Sequence, residues 1–152
     1  MNSLDQTATG IDETTITLGL QLAVTAGFAV AMVVLHTLGL VAISRLLRLK
    51  EERLLKHEFN LGAVGLLASF GFLVLLLHML EIAVFGIFYM LVSSMDLEEA
   101  LFYSASAYAT LGWTADYFPD SWRLIGAVEA LIGFILIGWS TAFMVTTMRK
   151  LS

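Results

Sequence analysis

Three long stretches nearly empty of charge set what this chain can fold into. Residues 16–47, 59–93 and 121–148 each exceed the about 20 apolar residues that cross a bilayer's hydrocarbon, and the first has no Asp, Glu, Lys or Arg before Arg45. In hydrocarbon every backbone N–H and C=O must be satisfied within the protein, so spans of this kind read as α-helices. Composition agrees: 59% of the 152 residues are hydrophobic and 14% charged, whereas soluble domains run near roughly half and a quarter. The chain therefore reads as one all-α, multi-pass membrane unit with lipid as its solvent. A net charge of −5 argues against a nucleic-acid partner. The absence of Cys excludes a disulfide scaffold and thiolate metal sites. No nucleophile elbow, HExxH pair or phosphate-cradling Gly loop is present, so nothing points to an enzyme or to a cofactor.

Charge between the spans orients them. Residues 48–58 continue the run RLLRLKEERLLKHE, with Arg45, Arg48, Lys50, Arg53 and Lys56 against Glu51, Glu52 and Glu58. The positive-inside rule puts this loop in the cytoplasm. Its leucines recur near helical spacing, which reads as an amphipathic elbow at the headgroups. Arg149 and Lys150 close the third span on the same side. The expected topology is an extracellular N-terminus, three spans and a cytoplasmic C-terminus. Residues 1–15 are polar and acidic, lack the positive region of a secretory signal, and read as a mobile extracellular tail.

Several span residues are costly or small. His36 sits alone in the first span and is expected to hydrogen-bond a neighbouring helix rather than bind a metal. Gly19, Gly62, Gly65 and Gly71 read as sites of close helix approach. His78 and Glu81 are three apart on one helix face. A carboxylate at that depth should face protein or water. The pair reads either as a tie to a neighbouring helix or as a proton or divalent-cation site. Glu129 is the second intramembrane carboxylate, and a hydrogen-bonding brace and a titratable gate are equally open for it.

Residues 96–120, DLEEALFYSASAYATLGWTADYFPD, join the second and third spans. Asp96 is placed to cap a short helix with Glu99 as its capping-box partner, and Glu98 and Glu99 suit the positive end of the helix dipole. The helix then runs into Thr110-Leu111-Gly112-Trp113-Thr114, where Gly invites non-helical backbone. A segment too short to cross, ending in a Gly-containing turn between two spans, points to a re-entrant loop. Phe102, Tyr103, Tyr108 and Trp113 are expected to pack as a cuff around that turn.

A short helix, then Thr-x-Gly-aromatic, then a polar stretch and a second span resembles the pore module of the tetrameric potassium-channel superfamily. Ala100-Leu101-Phe102-Tyr103-Ser104 is similar to that family's pore-helix start. Trp122-Arg123-Leu124, Glu129-Ala130-Leu131-Ile132-Gly133 and Gly138-Trp139-Ser140-Thr141-Ala142 are similar to the inner helix of its small bacterial members. The resemblance covers roughly residues 76–145. It implies a homotetrameric cation channel in the cell membrane, with Thr110, Leu111, Gly112, Trp113 and Thr114 as the ion-binding filter. It also implies Asp116 and Asp120 at the outer mouth, and Gly133 and Gly138 as hinge positions, with close packing an equal reading for both glycines. The implied ligand is the permeating potassium or sodium ion, and the implied partners are lipid and further copies of the chain. Trp113 and Thr114 depart from the family's Tyr and Gly. A β-branched Thr resists the left-handed backbone that Gly adopts there, so weakened selectivity is expected. The alternatives are a non-conducting scaffold or regulatory subunit, or a divalent-cation pathway through His78, Glu81 and Glu129.

Overall fold

The computed structural model describes residues 3–54, 61–112 and 122–151. Among these residues the chain forms four helices: α1 (Ser3–Leu54), α2 (Leu61–Val92), α3 (Leu97–Tyr108) and α4 (Arg123–Leu151). Three contain stretches long and apolar enough to cross a membrane, Leu18–Leu47, Val64–Val92 and Arg123–Arg149. The 30 residues of the first reach about 45 Å at 1.5 Å per residue. That exceeds the roughly 30 Å of bilayer hydrocarbon, so the helix tilts or projects. The 12 residues of α3 reach only about 18 Å, too short to cross.

Helix α1 is helical from Ser3, so it takes in the described part of the polar segment 1–15. It passes without a break from the apolar stretch to Leu54, so residues 48–54 of the elbow are helical, as their leucine spacing suggests. The reason is local: the chain's one Pro lies far away at Pro119, and the glycines of this helix stand singly. Residues 55–60 lie outside the described residues. At the other end, α4 continues three residues beyond 148 and takes in Arg149 and Lys150.

Helix α3 begins as its sequence dictates. Glu99 N–H donates to Asp96 Oδ1 at 2.9 Å, and Asp96 N–H donates to Glu99 Oε2 at 3.3 Å. This reciprocal capping box satisfies two amides that a helix start otherwise leaves open. The helix packs against both α2 and α4, while α1 packs against α2 and α4 from elsewhere on the bundle. One apolar core gathers Met32, Phe85, Tyr89, Ile125 and Leu136 around the α3 residue Ala100. A second joins Leu40, Ile43, Phe70, Val74 and Leu77, where α1 meets α2. Many other large apolar side chains, such as Val30, Leu38, Phe72, Leu91 and Phe134, stay exposed. That pattern suits a chain whose surroundings are themselves apolar.

Of the glycines expected at close approaches, Gly133 is one: its Cβ would stand 2.3 Å from the Tyr108 carbonyl oxygen. No atom of another helix lies within 4 Å of a Cβ built on Gly19, Gly65 or Gly138, and Gly71 has only the Met144 methyl at 4.0 Å. Gly62 lies outside the residues whose surroundings are described. Further contacts are at Gly39 against Leu77 and Gly86 against Leu101. Small residues let backbones meet only where helices cross, and a sequence does not display the crossing points.

Candidate functional site: two buried carboxylates beside a left-handed turn

Among the described residues two carboxylates are buried, Glu81 on α2 and Glu129 on α4, and each is 0% exposed. A carboxylate with no access to water must be met by hydrogen-bond donors or cations. The two are met by different chemistry.

Glu81 collects donors from several helices. His36 Nδ1–H, from α1, donates to Glu81 Oε1 at 2.8 Å. The Tyr108 hydroxyl, from α3, donates to Glu81 Oε2. His78 Nδ1–H, one turn earlier on α2, is shared between Tyr108 Oη at 2.8 Å and Glu81 Oε2 at 3.1 Å. The far nitrogen of His36, Nε2, lies 3.2 Å from Ser140 Oγ on α4. One carboxylate therefore links α1, α2 and α3 directly, and reaches α4 through an imidazole. The pair His78 and Glu81 is joined as its spacing allows, with Tyr108 of α3 as the neighbouring-helix partner. His36 hydrogen-bonds a neighbouring helix, as expected, and the partner that the sequence did not reveal is Glu81 of α2. The two imidazole rings lie 5.4 Å apart.

Glu129 is met by hydroxyls. Ser104 Oγ donates to Glu129 Oε1 at 2.5 Å and lies 2.9 Å from the Ile82 carbonyl. The Tyr89 hydroxyl donates to Glu129 Oε2. This carboxylate thus joins α4 to α3 and α2. It is not part of the His36, His78 and Glu81 group, so the three-residue set His78, Glu81 and Glu129 is not assembled as one cage.

The end of α3 carries the backbone anomaly. Leu111 N–H donates to the Ser106 carbonyl and Thr110 N–H to the Ala107 carbonyl, each at 2.8 Å. This pair of bonds is the Schellman closure of a helix, and it requires a left-handed residue where Thr110 stands. Thr110 has φ 60° and Gly112 φ 69°. Gly takes that conformation freely, whereas a β-branched residue is strained by it. Leu111, between them, is 77% exposed. An open cleft of about 430 Å³ borders the turn, lined by Tyr108, Ala109, Thr110, Phe134, Ile137 and Gly138 among others.

Three of the four aromatics expected to pack as a cuff are among the described residues. Tyr108 is buried in the Glu81 cluster, Tyr103 packs edge-on to Tyr89 at 4.9 Å, and Phe102 is exposed. Trp113, Thr114, Asp116 and Asp120 lie outside the described residues. Gly133 serves as the packing seat of Tyr108, and Gly138 borders the open cleft. No family profile, curated protein or solved structure matches the chain. The class defined so far is an all-helical protein with three helices fit to span a membrane.

Proposed function

We propose that the chain is one of four identical subunits of a cell-membrane channel passing monovalent cations, potassium or sodium, with little preference between them. Its N-terminus would lie outside and its C-terminus in the cytoplasm. The observation that carries this reading is Thr110 held at a left-handed φ of 60° directly after a capped, half-length helix. Backbone strain concentrates where function needs a particular geometry. The strained residue is also the first of the Thr-x-Gly-aromatic set that resembles a channel filter. The carbonyl end of α3 leads into this turn, and four such partially negative ends would favour a cation on a shared axis. The exposure of Leu111 and the open cleft against α4 are consistent with surfaces that neighbouring subunits cover.

The test is cation flux into liposomes holding the purified full chain. Flux is expected from the wild type and is expected to be lost in Gly112→Ala, whose φ of 69° a Cβ strains. No flux at any pH or voltage would sink the reading. A second reading, a non-conducting scaffold, draws on the same turn, because the amides of Thr110 and Leu111 fold back onto α3. Restoring the filter with Trp113→Tyr and Thr114→Gly separates the two: current that appears only in the restored protein favours the scaffold.

A further inference from the structure

We propose that His36, His78 and Glu81 form a binding site for one divalent transition-metal ion, of which zinc is the type, with Tyr108 as the adjoining oxygen. This inference does not depend on whether the chain conducts ions. Each of the three residues presents a ligand atom, and these atoms lie within 4.8 Å of one another. The donor set, two imidazoles and one carboxylate, is a combination zinc takes while leaving a fourth position open. Tyr108 Oη adjoins the set, 2.8 Å from His78 Nδ1 and hydrogen-bonded to Glu81.

The distances favour insertion without rebuilding the helices. His36 Nδ1 and Glu81 Oε1 are 2.8 Å apart, and His78 Nδ1 and Glu81 Oε2 3.1 Å. Two donors on a tetrahedral ion with bonds of about 2.0–2.1 Å stand about 3.3 Å apart. Each imidazole–carboxylate pair needs to part by only a few tenths of an ångström, while the three ligand atoms, within 4.8 Å of one another, have to draw together to the same spacing. Proton accounting is equally direct. Each neutral imidazole gives its Nδ1 lone pair to the metal and carries its proton on Nε2 instead. For His36 that proton then points at Ser140 Oγ, 3.2 Å away. Metal-bound histidines characteristically donate their other N–H to an oriented acceptor of this kind. Glu81 as a carboxylate would supply the charge, and a cation is what a carboxylate sealed from water calls for. Glu129 offers the contrast: its partners are hydroxyls, which are poor ligands for zinc. Filled, the site would fasten α1 to α2 beside the last residue of α3.

The competing occupant is a proton, which would turn one imidazole into an imidazolium paired with Glu81 and leave no room for metal. The experiment uses the full chain in detergent micelles, stripped with chelator and titrated calorimetrically with zinc chloride. One zinc per chain is expected. Affinity should fall at least tenfold in His36→Gln and Glu81→Gln, and about tenfold in Ser140→Ala. Thr141→Ala should match the wild type, since its hydroxyl bonds its own helix at Ile137. X-ray absorption on the zinc-loaded wild type decides the matter even if a variant misfolds: the shell should contain two imidazoles. No zinc uptake, uptake that the variants retain, or a shell without imidazole scattering would overturn the site.

Discussion

Glu81 and Glu129 are the same residue, equally buried, on two long apolar helices, and both receive a hydroxyl from α3. Their difference lies in what else meets them. Around Glu81 the further donors are imidazoles, which can hold a proton, lose it or bind a metal. Around Glu129 the further donor is a hydroxyl, that of Tyr89, which holds no exchangeable positive charge. Burial alone thus does not assign a role to a membrane carboxylate. The company does: one cluster has exchangeable chemistry, and the other is a fixed joint between α2, α3 and α4.

The largest effect that could break this comparison is truncation. Glu81→Ala removes the acceptor of His36, His78 and Tyr108 together. Removing one side of a buried charged network costs about 3–5 kcal/mol. Glu129→Ala strands less, because Ser104 keeps the Ile82 carbonyl at 2.9 Å and only the Tyr89 hydroxyl loses its acceptor. An unsatisfied buried donor costs about 1–3 kcal/mol. Unfolding of the two variants in the same detergent measures the gap. Equal losses would mean that the imidazoles contribute nothing to the joint.

How this arrangement could be read from sequence differs by scale. The spans were legible because a 30-residue apolar stretch whose only charge, Arg45, lies near its end has one solution in lipid. The start of α3 was legible because a capping box is local, three residues from donor to acceptor. The pairing of His78 with Glu81 was legible for the same reason. His36 was not, because its partner depends on how α1 and α2 cross, and neither helix has a marked polar stripe to announce the crossing. Ser140 and Ser104 were invisible on similar grounds: a lone serine in a membrane helix usually bonds its own preceding turn, as Ser69 does with Gly65. The signal that could have found the cluster is simple. Intramembrane ionisable residues are scarce, and His36, His78 and Glu81 all lie near the middle of their spans, so they were one another's natural partners.

A smaller effect tests whether the Glu81 cluster and the turn after α3 are one mechanical unit. Gly133→Ala places a methyl 2.3 Å from the Tyr108 carbonyl, which is backbone and cannot swing aside. Overpacking of this kind costs about 1–3 kcal/mol. Gly138→Ala meets nothing within 4 Å among the described residues and should stay within about 0.5 kcal/mol. Since Tyr108 also holds Glu81, a double-mutant cycle of Gly133→Ala with Glu81→Ala should show coupling of at least about 0.5 kcal/mol, whereas the same cycle with Glu129→Ala should be nearer to additive. Coupling of equal size in both cycles would erase the distinction between the clusters.

The smallest effect is the most telling about the turn. Thr110 occupies the left-handed position of the Schellman closure, where Gly is the usual residue. Thr110→Gly removes the strain of a β-branched residue at φ 60°, worth about 1 kcal/mol at the low end for such sites, less the extra freedom Gly gains when unfolded. The expected outcome is unfolding at equal or slightly higher temperature. Neither carboxylate cluster should respond, because Thr110 contributes to neither. If the same substitution also abolishes cation flux, stability and function part company at one residue, as strain kept for a purpose requires. If it lowers stability by more than about 1 kcal/mol, the Thr110 side chain is holding the fold together, and the left-handed backbone is no longer a pointer to function.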